Sequence, residues 1–305
     1  MAEMSTQPHF QDYQARWRKP KRIFATLTLL IVLALLGLMQ ACSTIKIAYN
    51  QGPELTYWYL DDYIDFTPTQ SALAKSEMKK IQAWHRQSQL PIYAEELRQL
   101  QPKMLTDISA GVACSAFATA RVQVLALMQH AEPALIALAA TIDAAQTRHL
   151  SERFDKSNKQ YRKEWLEGSV QKKRAKRLKD ALGRAEKVYG SLDERQTAWL
   201  GQRIDASPFD ANINYAERLR RQQDALQTLQ TIQANPARIQ NEMQGFLARA
   251  LDSPNPAFRS YTARLMQENC QTFADLHGLM NANQRAKAQQ VIQGYEQDFK
   301  TLGAQ

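Results

Sequence analysis

The sequence predicts an all-α fold, an elongated bundle of many helices that follows an N-terminal apolar segment. The 305-residue chain has only 11 glycines and 11 prolines, whereas a hairpin-rich β fold needs many turn formers. No stretch alternates convincingly between apolar and polar residues, as a half-buried strand would. Neither G-x-x-x-x-G-K-S/T nor G-x-G-x-x-G occurs, so a phosphate-binding α/β enzyme is disfavoured.

Four predicted helix starts share one capping pattern. An apolar residue precedes Thr, Asp or Asn at the N-cap, and Gln follows three residues later. The N-cap side chain accepts a hydrogen bond from the backbone N–H of the Gln, whose side chain accepts one from the N-cap N–H. The spacing between these pairs is unequal, which argues against a regular solenoid. The pairs are Thr67 and Gln70, Asp143 and Gln146, Asp193 and Gln196, and Asn281 and Gln284.

Periodicity and helix breakers set the other helix limits. Apolar and aromatic residues repeat at intervals of three and four over 54–66, which predicts a short amphipathic helix. Its rings are either ordinary core or a cluster that contacts a ligand or a membrane. Proline kinks or ends a helix, so we expect breaks at Pro91, Pro102 and Pro133. The predicted helices cover about 68–90, 91–101, 103–130, 133–141, 144–167, 170–190, 194–205, 213–233, 239–251, 257–279 and 282–302.

Residues 1–41 are typical of a bacterial export signal. Basic residues from Arg16 to Arg22 precede the uncharged stretch Ile23–Ile45. Leu38–Ser43 resembles a lipobox, in which a small residue precedes the Cys that is acylated and becomes N-terminal. We expect residues 1–41 to be removed and Cys42 to be lipidated, and Ser43 after the Cys suits an outer-membrane destination. The alternative is a retained signal anchor, because about 20 apolar residues suffice to cross a bilayer.

The expected export and lipidation determine how the rest of the chain is divided. Residues 42–53 would form the lipidated tether, and residues 54–305 a single helical periplasmic domain with a possible sub-boundary near 168–170. The other two cysteines, Cys114 and Cys270, are an even pair in an oxidising compartment, which predicts a disulfide. Two separate buried thiols are the alternative. Without a C-x-x-C motif we expect no catalytic dithiol.

The chain is moderately basic, with 39 Lys and Arg against 30 Asp and Glu. This excess suits anionic lipid, lipopolysaccharide or acidic polypeptides, and for an exported protein we expect no nucleic-acid partner. One basic cluster is either a solvated helix face or a contact for such an anionic partner. It consists of Lys172, Lys173, Arg174, Lys176, Arg177 and Lys179.

The sequence contains no pattern that identifies a catalytic or metal site. The five histidines lack ligand spacing, and Asp61, Asp62 and Asp65 lack the glycine and closing Glu of a calcium loop. We therefore expect a non-enzymatic protein without a cofactor or metal. An envelope hydrolase whose site is assembled from distant helices, with Asp62, His85 and His149 as candidates, is the alternative.

Several segments resemble a known class of protein. Tyr57–Asp61, Trp84–Arg86, Leu90–Ala94 and Ser207–Asp210 are similar to an uncharacterised family of proteobacterial outer-membrane lipoproteins. Phe66–Gln70 resembles the L-T-x-x-Q boxes of periplasmic helical proteins of the Spy and CpxP kind, which are stress-linked chaperones and regulators. The resemblance implies the class of protein but carries over no established activity. Our hypothesis is a membrane-tethered protein that binds polypeptide or envelope partners through an amphipathic, partly basic helical surface, as a chaperone or a scaffold. The sequence does not indicate the oligomeric state.

Overall fold

The computed structural model describes residues 44–305, all of whose regular elements are helical, and this confirms the all-α class. Asn50–Gln305 forms one compact unit. The predicted signal peptide over 1–41 and the predicted lipidation at Cys42 lie outside the described residues. The helices are α1 (Thr44–Asn50), α2 (Gly52–Ile64), α3 (Pro68–Trp84), α4 (Leu90–Leu100), α5 (Ala110–Ala139), α6 (Ala144–Tyr161), α7 (Val170–Tyr189), α8 (Glu194–Ala206), α9 (Ala211–Ala234), α10 (Ile239–Leu251), α11 (Pro256–Gly278) and α12 (Ala282–Gly303).

One of the three expected proline breaks does not form. The break predicted at Pro133 is wrong, because α5 continues through it to Ala139. Burial of Ala134 and Leu138 on the far side of Pro133 holds the helix together despite the missing N–H. The break expected at Pro91 does form. A π-helical turn, His85–Gln89, follows α3, the Leu90 N–H donates to the His85 carbonyl, and α4 begins at Leu90 with Pro91 in its first turn.

Shorter irregular turns close several helices. A 3₁₀ turn follows α4 at Gln101–Leu105, a second π turn follows α6 at Arg162–Leu166, and Pro236–Arg238 forms a further 3₁₀ turn. At Gly190 the backbone takes φ +77°, a conformation that favours glycine, and α7 ends there. The turns at Gly190 and at Pro236–Arg238 connect helices that pack against each other, α7 with α8 and α9 with α10.

The apolar core of residues 50–305 consists of three clusters. The first joins the ends of α7 and α11 to α12 around Met104, Tyr189 and Ile292. The second joins the end of α5 to α6, α9 and α10 around Leu150 and Ile232. The third, around Tyr57, Ala74 and Leu138, joins α2 and α3 to α5. The central part of α5 contributes no buried residue between Ala113 and Ala134.

All four capping boxes are formed, and they pair in space. Gln70 Nε2 donates to Gln146 Oε1 at 3.1 Å, and Gln146 Nε2 donates to Gln70 Oε1 at 2.7 Å. Each amide also donates to the carbonyl two residues before the partner's N-cap, Gln70 to Thr141 at 2.7 Å and Gln146 to Asp65 at 2.9 Å. We call this reciprocal pair of boxes a glutamine clasp.

The third and fourth boxes form a second glutamine clasp with the same connections. Gln196 and Gln284 donate to each other at 2.8 and 2.9 Å. Gln196 Nε2 also donates to the Leu279 carbonyl, and Gln284 Nε2 to the Ser191 carbonyl, both at 2.9 Å. Each clasp therefore locks two helix–turn–helix corners together through buried amides.

Candidate functional site

An open groove of about 780 Å³ lies between α4 and α5. Its α5 wall runs from Val112 to Leu127 and presents residues at helical intervals of three and four. At 1.5 Å per residue this wall is roughly 22 Å long. The α4 side supplies Tyr93, Leu97 and Leu100. The groove is thus long enough to hold about four turns of a helix.

Small side chains line the middle of the α5 wall. Ser115, Ala116, Thr119 and Ala120 follow one another along the groove. Such residues let the backbone of a second helix approach closely, because no long side chain stands between the two axes. The wall is therefore shaped for another helix, and its hydroxyl groups can accept or donate hydrogen bonds.

The helix that forms this wall is unusually apolar for its exposure. Among the described residues, α5 alone is long and apolar enough to cross a membrane by length and composition, yet only 6% of its most apolar window is buried. Phe117, Val122 and Val124 are 42%, 59% and 54% exposed. A buried core helix can have the same composition. The low burial of α5 excludes that explanation here. Its surface is thus available for contact with another molecule.

Polar contacts fix the floor and one end of the groove. Gln123 Nε2 donates to Glu96 Oε1 at 2.9 Å and so links α5 to α4. At the end nearer α12, the Tyr93 hydroxyl is 3.2 Å from His85 Nε2, and the Tyr93 ring meets Phe299 edge to face. Burial raises the pKa of Tyr93, with a smaller contribution from Glu96, and burial lowers the pKa of His85. Both groups are neutral near pH 7.

A disulfide anchors α5 beside the groove. Cys114 on α5 is bonded to Cys270 on α11, with the two Cα atoms 5.3 Å apart. Cys270 is fully buried, and the link lies one residue before Ser115, where the groove wall becomes small and open. The disulfide holds the first turns of α5 against α11, while the turns between Cys114 and Pro133 contain no buried side chain.

Most of the predicted basic cluster is used within the protein. Arg174 pairs with Asp205 at 2.6 Å, and Lys173 Nζ donates to the Leu166 carbonyl at 3.1 Å. Lys176 lies over the Trp165 ring and Arg177 over the Phe209 ring. The structure gives Lys172 and Lys179 no comparable partner among the described residues. This surface offers fewer available cations than the sequence indicates.

Of the three residues named for a hydrolytic site, Asp62 and His149 lie together and His85 lies apart from them. His149 Nε2 is 3.1 Å from the backbone carbonyl of Asp62, whose carboxylate pairs with Arg153. His85 instead contacts Tyr93 and packs edge to face against Trp84. Over residues 44–305 no cluster of three or more His, Cys, Asp or Glu side chains is arranged to hold a metal ion.

The sequence did not predict one buried polar pair, His277 and Tyr189, at the first core cluster. His277 is fully buried, and its Nε2–H donates to the Thr106 carbonyl at 2.8 Å. That carbonyl can only accept, so Nδ1 is left to accept from the Tyr189 hydroxyl at 3.0 Å. Burial lowers the pKa of His277 and raises the pKa of Tyr189. Apolar residues around His277 in the sequence carried no indication of this pairing.

The fold and the groove together define an all-α protein with an open, mainly apolar groove along one exposed helix. The chain belongs to a family of unknown function (DUF6279), whose model matches residues 62–255. The matched region contains α5, Cys114 and the first three capping boxes, whereas Cys270 and the fourth box lie beyond it. No curated protein and no solved structure matches the chain significantly.

Proposed function

We propose that the protein is a non-enzymatic, membrane-tethered periplasmic lipoprotein that binds an amphipathic helical segment of a partner polypeptide in the α4–α5 groove. The observation that carries the proposal is the exposure of an apolar helix beside a groove with a small-residue wall. The lipoprotein part is supported by the basic and apolar leader, by Cys42 at its boundary, and by the resemblance to outer-membrane lipoproteins.

The composition of the groove favours a polypeptide over the acyl chains of a bilayer. Glu96, Gln99, Ser115, Thr119 and Gln123 lie along the same surface as its apolar residues. A carboxylate and several amide and hydroxyl groups are costly to transfer into hydrocarbon, whereas a helix can pair with them through its own side chains. The groove length also matches a segment of about 15 residues.

Two alanines on α5 give a matched test. Ala120→Trp places a large ring in the groove, while Ala118→Trp adds the same ring at an exposed position outside the groove lining. Binding is measured by fluorescence anisotropy with a labelled amphipathic helical peptide and by suppression of light scattering from an unfolding client. We expect Ala120→Trp to weaken peptide binding at least about tenfold and Ala118→Trp to leave it within about twofold, since blocking costs more than 1.4 kcal/mol.

The controls separate the two parts of the proposal. Equal effects of the two tryptophans, or no binding and no suppression by the unaltered protein at stoichiometric amounts, would refute the groove function. Preference of the groove for protein-free vesicles over peptide would assign the surface to lipid instead. Mass spectrometry of the purified protein tests the tether independently, because lipidation requires an acylated N-terminal Cys42 and loss of residues 1–41.

A further inference from the structure

A second exposed apolar surface lies at the beginning of the compact unit, on α2. Leu55, Trp58 and Tyr59 are 51%, 59% and 64% exposed. Their spacing of three and four places them on one face of the helix. We call these three side chains the outer face of α2.

The opposite side of α2 accounts for its attachment to the protein. Tyr57 is buried, stacks on Phe66, and donates a hydrogen bond from its hydroxyl to Ser71 at 3.1 Å. Tyr63 and Ile64 pack against the second core cluster. On the outer face, the Tyr59 ring lies against the Tyr63 ring, with the two centroids 5.1 Å apart, but Tyr59 stays largely exposed. Three large side chains within about one turn are therefore accessible for an external contact.

The position of α2 in the chain indicates what covers this outer face. Gly52 follows Cys42 by ten residues, seven of which form α1. With 1.5 Å per helical residue and about 3.5 Å per extended residue, the start of α2 stays within about 25 Å of a lipidated Cys42. Trp and Tyr are the residues that favour the boundary between lipid headgroups and acyl chains.

We infer that the outer face of α2 inserts into the interface of the same bilayer that holds the Cys42 lipid. The inference rests on the proposed lipidation, and it adds a second membrane contact made by the folded protein itself. Leu55 supplies the apolar anchor, and Trp58 and Tyr59 supply amphipathic rings suited to the boundary between headgroups and acyl chains. Two contacts fix an orientation that an acyl tether alone leaves free.

Fluorescence quenching by brominated phospholipid tests this contact in the full, processed protein. The protein is reconstituted into vesicles with brominated or unbrominated acyl chains, and tryptophan emission is compared. Bromine quenches only a ring that reaches the lipid. We expect quenching in the unaltered protein and loss of more than half of it in Trp58→Phe, whereas Trp165→Phe, which removes a ring held against Tyr161 and Phe209, keeps it.

A second variant keeps the reporter and removes its neighbours. Leu55→Glu with Tyr59→Glu adds two charges to the outer face, which retains Trp58, and quenching should fall by more than half because charge opposes insertion. Vesicle flotation and the mass of the N-terminus are recorded for every sample. Lipidated protein that floats with equal quenching in Trp58→Phe and the unaltered protein overturns the inference and leaves the tether intact. An unmodified Cys42 without flotation overturns both, and the peptide-binding test of the groove is unaffected.

Discussion

At the residue scale, buried amide side chains complete the helix starts of distant partners. Gln70 and Gln146 each accept from the N–H of their own N-cap and donate to the other box. The spacing of Thr67 with Gln70 and of Asp143 with Gln146 predicts both starts, because a capping box is local. It cannot predict their pairing, because the two glutamines are far apart in the chain and any amide could satisfy either one.

Removing one amide from a glutamine clasp should cost more than removing a surface amide. Gln146→Ala leaves Gln70 Oε1, the Asp143 N–H and the Asp65 carbonyl without the hydrogen bonds made by Gln146. We expect the free energy of unfolding to fall by about 1–3 kcal/mol, which is the usual cost of buried unsatisfied polar groups. Urea denaturation measures it, and Gln129→Ala on the exposed side of α5 serves as the control. Equal losses in the two variants would contradict a special role for the clasp.

His277 gives stability a dependence on pH. Its pKa in the fold is lowered by burial, and its neutral ring bonds to Thr106 and Tyr189, while Arg285 opposes protonation and Asp107 favours it. The unfolded chain therefore binds the proton more readily. The stabilisation is fully present above the unfolded pKa of 6.5 and is lost progressively as the pH falls from there toward the folded value.

We expect urea midpoints to fall between pH 7.5 and pH 5.5 in the unaltered protein, and to fall less in His277→Gln. Glutamine cannot take up a proton in this range, although losing the paired ring should itself cost about 1–3 kcal/mol at pH 7.5. His149→Gln removes a partly exposed ring that bonds to the Asp62 carbonyl and is the matched control. An unchanged pH dependence in His277→Gln would assign the effect to other groups.

At the element scale, α5 shows where sequence patterns stop being informative. Its Ala, Leu and Val content predicts a helix, but the same content suits a buried core helix and an exposed binding helix. Only tertiary packing leaves the segment between Ala113 and Ala134 without buried side chains. Pro133 likewise predicts a break that the buried contacts of Leu138 prevent.

The disulfide should carry a large share of the stability of this element. Cys114 and Cys270 are 156 residues apart, and closing so long a loop stabilises by about 4–5 kcal/mol in the chain-entropy model. We expect dithiothreitol to lower the urea midpoint of the unaltered protein and to have no effect on a Cys114→Ala, Cys270→Ala double variant. If the reductant lowers both midpoints alike, or the double variant matches the oxidised protein in stability, the cross-link contributes little.

At the scale of the whole molecule, local rules specify more of the architecture than of the surfaces. Capping and breaker residues such as Thr67, Asn281 and Gly190 mark the ends of helices because their chemistry acts within a few residues. The groove depends on how α4 and α5 lie beside each other, and the outer face of α2 depends on which of its aromatic rings are buried in the core. Tyr57 and Trp58 are adjacent aromatics, yet one is buried and the other is not. Tertiary packing, and not the local sequence, determines which of the two rings is buried.

The loop at Gly168, where φ is +88°, separates the two glutamine clasps along the chain: the Gln70–Gln146 clasp lies entirely before it and the Gln196–Gln284 clasp entirely after it. A protease that cuts the backbone there would produce two pieces, each retaining a complete amide clasp of its own. The sulfur bridge from Cys114 to Cys270 would keep the pieces joined after the cut. A nicked molecule should thus migrate as one band on a non-reducing gel and separate into two once thiol is added.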